Sequence, residues 1–491
     1  MRHVIRFVRN GRVVQLSDIR PDLVLLDYLR LVERATGTKA ACEEGACGAC
    51  TVVIGRMRGG RLVYETANAC TLMMAQVDGC EIVTIEDIAE DDGTLHPVQE
   101  ALVDEHATQC GFCIPGMAMS LFALHHATKG PISEDQARAA IEGNLCRCTG
   151  YRPIIAAAIR SGAKRTPGRL DRAREETTKL LTGLADAEDL TIGDEDHFVA
   201  APTDLDRAAE LVRKHGDAEL VGGIAGRRPA RADSDRKVVL LSRIPELRRI
   251  QDGAAELVLG GAVTLAEAMP TLSAIDPDLG LLLRRIASPQ ERSVATLGDK
   301  LIGGEPTELS TMLIALGAGV TFLRDGKTRR ASAEALYRDD GTPDPELGAV
   351  LVQIHIPRPK PRSIIRAYGV GRRWDNTQAI VAGAFKLGLD EDGRIKEASL
   401  AFSGLSPAPK RSLGAESALI GYGPLDRSVW PTAFAALRED FAGTVGQRSG
   451  ARYRAETAQA LLGKALIEAG GTSDRRTRLY GFREAEHDAA R

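Results

Sequence analysis

The chain has 491 residues, 44% apolar and 27% charged, with a formal net charge of −3. At about 150 residues per domain the length calls for roughly three domains, and the composition is that of a normal soluble protein. Lys and Arg are interspersed with Asp and Glu, so nothing attracts nucleic acid or an anionic membrane surface in general. The start, Met1-Arg2-His3-Val4-Ile5-Arg6-Phe7, carries charges inside its apolar run. It reads as neither a signal peptide nor a twin-arginine leader, and no window of about 18 apolar residues occurs. A cytoplasmic protein with no membrane span is expected.

In chain order, residues 4–8 alternate apolar and polar, Asn10-Gly11 follows, and Val13-Val14-Gln15-Leu16 completes a hairpin signal. Residues 22–32 place apolar side chains at helical spacing. A Cys-rich loop comes next, then the strand-like Thr51-Val52-Val53-Ile54. This order predicts a ferredoxin-like domain over residues 1–85. Residues 86–163 read as four helices: Pro97 to His106, Pro115 to His126, one opened by a Ser133/Gln136 capping box and stopped at Gly143-Asn144, and one through Ile154 to Ile159. Residues 164–197 are charged, basic in front and acidic behind, and read as a linker with at most one short helix. From Phe198 short strands (Glu219 to Val221, Lys237 to Leu241, Leu257 to Leu259) alternate with helices, an α/β pattern to about residue 358. Beyond Pro357-Arg358-Pro359, strands at Ala379 to Phe385 and Ala398 to Phe402 and two helical stretches predict a small α/β domain over 359–482, with 483–491 as a tail.

All nine cysteines lie at or before Cys148. Such clustering in a chain expected in the cytosol points to metal rather than disulfides. Cys42, Cys47, Cys50 and Cys70 form C-x4-C-x2-C with a distant fourth, the plant-type [2Fe–2S] spacing. Gly45, Ala46, Gly48 and Ala49 fill the intervals, so the backbone can approach a cluster and its N–H groups can face the sulfurs. Cys110 and Cys113 form C-x2-C, and Cys146 and Cys148 form C-x-C. Alone, this second set also suits zinc; behind a ferredoxin-like domain it predicts a second [2Fe–2S] cluster. Pro115 and Pro153 suit first-turn helix positions, which would set both pairs at the positive ends of helix dipoles. Cys80 reads as a structural thiol. His96 and His106 read as capping or surface residues.

Three segments resemble the two-cluster portion of the xanthine oxidase (molybdenum hydroxylase) family: Cys42-Glu-Glu-Gly-Ala-Cys-Gly-Ala-Cys-Thr-Val, Gln109-Cys-Gly-Phe-Cys-Ile-Pro-Gly-Met and Gly143-Asn-Leu-Cys-Arg-Cys-Thr-Gly-Tyr-Arg-Pro. Leu259-Gly-Gly-Ala-Val-Thr-Leu-Ala-Glu, Val294-Ala-Thr-Leu-Gly and Leu313-Ile-Ala-Leu-Gly-Ala resemble its FAD domain, and Ala401-Phe-Ser-Gly-Leu-Ser-Pro-Ala-Pro-Lys-Arg the domain after it. The likeness is strongest to the small iron–sulfur/FAD subunit of the family's bacterial xanthine dehydrogenases. It implies an α+β multidomain chain: a β-grasp ferredoxin-like domain, a four-helix [2Fe–2S] domain, an α/β FAD-type domain of the vanillyl-alcohol-oxidase/CO-dehydrogenase-flavoprotein kind over 198–358, and a CO-dehydrogenase-flavoprotein C-terminal-like domain.

The resemblance further implies an oxidoreductase subunit, active only with a large molybdopterin-binding partner, as a heterotetramer, in xanthine dehydrogenase-like purine oxidation. Electrons would pass from the partner through two [2Fe–2S] clusters to FAD and then NAD or another acceptor. Gln109 and Cys148 match molybdopterin-facing positions, and Arg147 lies between two ligand positions. The FAD positions carried over are Gly222, Gly223, Thr296, Gly298, Glu308, Arg372 and Asp375. Here the sequence departs from the family. The first loop, usually Ala-Gly-Gly-Thr-Asp, reads Val221-Gly-Gly-Ile-Ala, so Ile224 and Ala225 offer no side-chain hydrogen bonds. The second, usually Thr-Leu-Gly-Gly-Asn, reads Thr296-Leu-Gly-Asp-Lys, which places Asp299 where a phosphate is expected unless Lys300 offsets it. The alternatives are a flavin-free conduit to a protein acceptor and a redox-sensing interaction protein.

Overall fold

The computed structural model describes residues 1–163, 167–223, 236–303, 308–324, 326–344, 347–348, 350–373, 376–445 and 450–478. Contacts divide the chain into two units: residues 1–245 with 288–295, and residues 246–287 with 296–491.

The first unit opens with a five-stranded mixed sheet in the order β2-β1-β5-β3-β4. Its strands are β1 (Ile5–Arg9), β2 (Arg12–Leu16), β3 (Thr51–Arg58), β4 (Arg61–Asn68) and β5 (Glu81–Val83). Asn10 and Gly11 both take positive φ, 52° and 70°, the requirement of a tight hairpin turn, and β1 pairs with β2 from Ile5↔Leu16 to Arg9↔Arg12. Leu25, Leu26 and Leu29, from a short helix at Leu25–Asp27 and its continuation, are buried with Phe7, Val52, Ile54, Leu72 and Ile82. Four helices follow: α1 (Pro97–Asp104), α2 (Ile114–Ala127), α3 (Glu134–Ala140) and α4 (Arg152–Gly162). Ser133 Oγ accepts from Gln136 N at 3.2 Å and Gln136 Oε1 from Ser133 N at 2.9 Å, the reciprocal cap that starts α3. The helix stops at Ala140, short of the expected Gly143-Asn144. His96 Nδ1 caps α1 by accepting from Val98 N at 3.2 Å.

Within the stretch expected as a linker, residues 167–197 are folded. They hold a 16-residue helix, α5 (Arg169–Leu184), and a strand, β6 (Leu190–Gly193). The charged surface of α5 hides a sparse stripe, Leu170, Leu181 and Leu184, which is buried with Val53, Leu62, Met119 and Phe122. Strands β6, β7 (Phe198–Ala201), β8 (Glu219–Val221) and β9 (Lys237–Leu240) form a sheet in the order β6-β7-β9-β8. Its β7/β9 and β8/β9 pairs are parallel, as an α/β pattern requires.

The second unit begins with an antiparallel sheet. Strands β10 (Ile250–Asp252), β11 (Glu256–Gly260), β12 (Gly319–Arg324), β13 (Lys327–Ser332) and β14 (Val350–Pro357) pair in the order β10-β11-β14-β12-β13. The C-terminal part has four strands where two were expected: β15 (Ser363–Val370), β16 (Val381–Leu389), β17 (Ile395–Ser403) and β18 (Lys410–Arg411). Phe385, Phe402, Phe441 and Leu462 fill its core. Among the described residues, no helix is long and apolar enough to cross a membrane.

Candidate functional site: two cysteine loops and a flavin-type domain

The loop between the first helix and β3 turns on Glu43, Gly45 and Gly48, with φ of 59°, 78° and 68°. These reversals fold the loop that carries Cys42, Cys47 and Cys50 back on itself, and Cys70 arrives from the turn after β4. The sulfurs meet in pairs. Cys42 and Cys47 are in hydrogen-bond contact, as are Cys50 and Cys70. Gly45 N–H donates to Cys70 Sγ at 3.3 Å, and the backbone of Ala49 supports Cys47. The Cys70 thiol is held far above the ordinary thiol range, first by the Cys50 sulfur and then by burial. Burial raises Cys47, with Cys42 adding to it.

In the second set, Cys110 and Cys148 sulfurs lie 3.7 Å apart. Cys113 faces Cys146, and its thiol is pushed up to about 12 by burial, then by that neighbour. Burial also pushes Cys146 up, but the Thr149 N–H at 3.4 Å and the Cys113 thiol outweigh it and leave it lowered. Cys113 is the N-cap of α2, with Pro115 in the first turn. Cys146 and Cys148 stand one turn ahead of α4, whose N-cap Tyr151 takes φ 67° and whose hydroxyl accepts from Cys146 N at 2.9 Å.

The pairing tests which metal fits. Two thiolates on one tetrahedral ion, with metal–sulfur bonds of about 2.3 Å, lie roughly 3.7 Å apart; Cys110 and Cys148 match that spacing. A single zinc would gather all four sulfurs of a set. Among the described residues, no three Cys, His, Asp or Glu converge on one point. Two pairs per set suit a cluster with two irons, each taking two thiolates. The raised thiols say the same: sulfurs crowded in burial resist ionisation unless a cation compensates them.

The two sets differ in access. Cys50 and Cys70 are buried, whereas Cys110 and Cys148 are exposed. Around the exposed pair, Gln109 and Arg147 are open to solvent, and Phe112 and Leu145 are 47% and 50% exposed. Cys80 is buried, and burial raises its thiol.

The flavin positions fall in both units. Gly222 and Gly223 close β8 in the first unit, where Gly223 O accepts from Gln76 Nε2 at 2.5 Å. Ile224, Ala225 and Asp375 lie outside the described residues. In the second unit, Thr296 and Asp299 form a reciprocal cap on the helix Leu297–Ile302: Thr296 Oγ1 accepts from Asp299 N at 3.1 Å, and Asp299 Oδ2 from Thr296 N at 2.9 Å. The Asp299 carboxylate thus caps its own helix. Gly298 N–H donates to Gly261 O at 2.8 Å. Glu308 is buried; its Oε1 accepts from Ala379 N at 2.6 Å, while Oε2 has no hydrogen-bond partner among the described residues. Burial raises this carboxyl above its usual range. Arg372 is exposed. A cavity of about 590 Å³ opens nearby, lined by Ile302, Asp340, Thr342, Gln378, Ser403 and Arg454 among others.

Comparison with known proteins covers most of the chain. A family described as 2Fe-2S iron-sulfur cluster binding domain matches residues 8–74, and one described as [2Fe-2S] binding domain matches 84–159. FAD binding domain in molybdopterin dehydrogenase matches 194–359, and CO dehydrogenase flavoprotein C-terminal domain matches 366–469. A xanthine dehydrogenase of Drosophila pseudoobscura pseudoobscura is 30% identical over 476 residues, covering 83% of this chain and 35% of its own length. Aldehyde oxidase 1 of Bos taurus is 30% identical over 465 residues, covering 82% and 34%. The chain belongs with the molybdenum hydroxylases. It spans about a third of the length of these curated relatives. A solved Cu,Mo-CO dehydrogenase chain shares the fold with a TM-score of 0.50 at 24% identity, covering 55% of this chain and 96% of that one.

As a molybdenum hydroxylase chain, this protein carries two [2Fe–2S]-binding domains and an FAD-binding domain. The orphan Glu308 oxygen fits a nucleotide, since a buried acceptor without a donor is costly until a ligand hydroxyl or amide supplies one. Sequence reasoning missed Asn68, whose Nδ2 donates to Gly45 O at 3.0 Å and braces the first loop, and Tyr151, whose hydroxyl accepts from Cys146 N and braces the second. Both are local contacts that only the turn geometry reveals.

Proposed function

We propose that this chain is the electron-transfer subunit of a xanthine dehydrogenase-like enzyme of purine oxidation, working in the cytoplasm with a large molybdopterin-binding subunit as a heterotetramer. Cys42, Cys47, Cys50 and Cys70 would hold one [2Fe–2S] cluster, and Cys110, Cys113, Cys146 and Cys148 the other. Each cluster, when bound, accepts and releases one electron. The observation that carries the reading is the unequal access of the two sets. An exposed sulfur pair, Cys110 and Cys148, stands beside exposed Phe112 and Leu145. That is a polar redox edge framed by apolar side chains, as a docking face needs. Gln109 and Cys148 would face the partner's pterin there, and Arg147 would add a cation. The chain's own backbone does the rest: N–H groups of Gly45 and Thr149 point at sulfur and favour the more negative, reduced state.

FAD is the outgoing group in this reading, held by Gly222, Gly223, Thr296, Gly298, Glu308, Arg372 and Asp375; bound there, it converts single electrons into pairs for NAD or another acceptor. A flavin-free conduit to a protein acceptor is the second reading. It is favoured by Gly298 and Asp299, whose N–H and carboxylate are engaged within the chain. The deciding experiment is purification of the chain with its partner, followed by iron, molybdenum and acid-released flavin analysis and by xanthine-dependent reduction of NAD. Four irons per chain with xanthine turnover support the proposal. Absence of a molybdenum-containing partner refutes it in favour of a sensor, and absence of flavin selects the second reading.

A further inference from the structure

Between the two cysteine loops lies a buried polar cluster that no expectation from sequence included. Its centre is Gln290, 1% exposed, from the 288–295 segment. That segment falls within the FAD-type stretch of the sequence but packs with the iron–sulfur unit. Gln290 Nε2 lies 2.8 Å from Asn144 Oδ1, 3.0 Å from Ser120 Oγ and 3.3 Å from Thr51 Oγ1. Ser120 Oγ donates to Asn144 Oδ1 at 2.7 Å. Asn144 Nδ2 donates in turn to Gly48 O at 3.0 Å. Thus one amide touches β3 of the ferredoxin-like domain, α2 of the helical domain and the loop that carries Cys146.

The surrounding backbone is packed without side chains between its layers. A Cβ on Gly48 would stand 2.3 Å from Gly143 O, and one on Gly116 2.2 Å from Gly48 O. A Cβ on Gly143 would stand 2.0 Å from Gln290 Oε1. In this contact Leu145 N donates to Cys47 O at 2.9 Å. Residues Cys47 and Cys146, one from each set, are therefore joined by one hydrogen bond and one peptide unit. The separation of the two sets is fixed by how Gly48 and Asn144 meet, and the Asn144 amide is oriented by what it accepts from Gln290 and Ser120.

We propose that Gln290 is a positioning residue that sets the distance and orientation between the two clusters by holding the Asn144 amide against the Gly48 carbonyl. The proposal rests on the two-cluster reading above. Chemically, Gln290 acts as a donor. A Glu of the same shape would oppose Asn144 Oδ1 with another acceptor, force the Asn144 amide to turn, and release Gly48 O. A Met would fill the volume and leave the Ser120–Asn144–Gly48 bonds in place. If Gln290 merely fills space, the two isosteric replacements behave alike.

The test is low-temperature EPR of the dithionite-reduced full chain. Two neighbouring reduced clusters split each other's signals, and the splitting reports their separation and orientation. The wild-type chain is expected to show two cluster signals with resolved splitting. Gln290→Glu is expected to keep both signals and lose that splitting, while Gln290→Met keeps most of it. Wild-type splitting in Gln290→Glu, or equal splitting in the Glu and Met variants, overturns the proposal. Should the Glu variant fail to assemble clusters, Ser120→Ala probes the same Asn144 oxygen: a changed splitting supports the proposal, and a wild-type splitting overturns it. A wild-type chain without two cluster signals would instead defeat the two-cluster reading.

Discussion

Replacing Arg478 by Met should loosen the second unit by several kcal/mol. Its guanidinium donates through Nη1 and Nη2 to Asp278 Oδ1 and Oδ2 at 2.7 and 2.8 Å, and through Nε and Nη2 to Glu468 Oε1 and Oε2 at 3.1 and 2.5 Å. Both carboxylate side chains are 1% exposed. Removing the cation takes a shared partner from two buried carboxylates, while Glu468 retains Arg366 at 3.1 Å. Loss of one partner of a buried ion pair costs about 3–5 kcal/mol. The titration of Glu468 gives a similar size. Burial works to raise its carboxyl, but the Arg478 hydrogen bonds lead the opposing effects and hold it at about 2. A drop of roughly two units from the ordinary value corresponds to about 3 kcal/mol. For a unit of this size that shifts thermal unfolding down by roughly 6–12 °C, measurable by calorimetry with hydrogen exchange over Ala451–Ala469 to assign the transition. The sign with pH follows. In the wild type the Glu468 contribution is complete above about pH 4.5 and is lost as pH falls towards 2. In the variant the Glu468 carboxyl binds a proton more readily, so the deficit should shrink from pH 8 to pH 5. Adding Asp278→Asn and Glu468→Gln should recover part of the loss. A shift under 2 °C, or a deficit that grows on acidification, would refute the assignment.

Three further outcomes are expected. Cys113→Ser should abolish electron flow from substrate while leaving the EPR signal of the cluster at Cys42, Cys47, Cys50 and Cys70; loss of both signals would mean that the two cluster domains assemble as one. Gly48→Ala should cost roughly 2–5 kcal/mol, from a left-handed φ of 68° and a Cβ 2.3 Å from Gly143 O, read as lower iron content and earlier melting; a wild-type melt would contradict the close contact. Glu308→Ala should lower flavin per chain with iron unchanged if its orphan oxygen serves a nucleotide, and unchanged flavin content would remove that residue from the site.

How much the sequence discloses depends on whether chemistry or packing places a residue. The cysteine loops are legible because a cluster demands thiolates at short spacings, with small residues between them. The hairpin at Asn10-Gly11 is legible because few residues take two consecutive positive φ values. The helix Arg169–Leu184 is not, since Leu170, Leu181 and Leu184 are too widely spaced to form a dense apolar stripe, and the charged residues between them dominate the pattern. Asp299 misleads for a related reason. Read as one letter in a loop it looks like a charge facing a ligand, but three residues after Thr296 it also completes a capping box, which the ligand-centred reading overlooks.

Gln290 is the extreme case. Its three nearest polar neighbours lie 146, 170 and 239 positions away in the chain, so no local pattern points to it. Its role arises only because 288–295 returns to the iron–sulfur unit. That return has a consequence for the flavoprotein part. The residue that would hold the two clusters in register is covalently continuous with Thr296 and Gly298, two of the positions proposed for the flavin. Five residues of backbone separate Gln290 from Thr296, so a ligand bound at Thr296 and Gly298 would lie on the same short stretch of chain as the residue proposed to position the clusters. Flavin removal from the wild-type chain should therefore change the cluster splitting, whereas in Gln290→Glu, where that contact is already released, it should not.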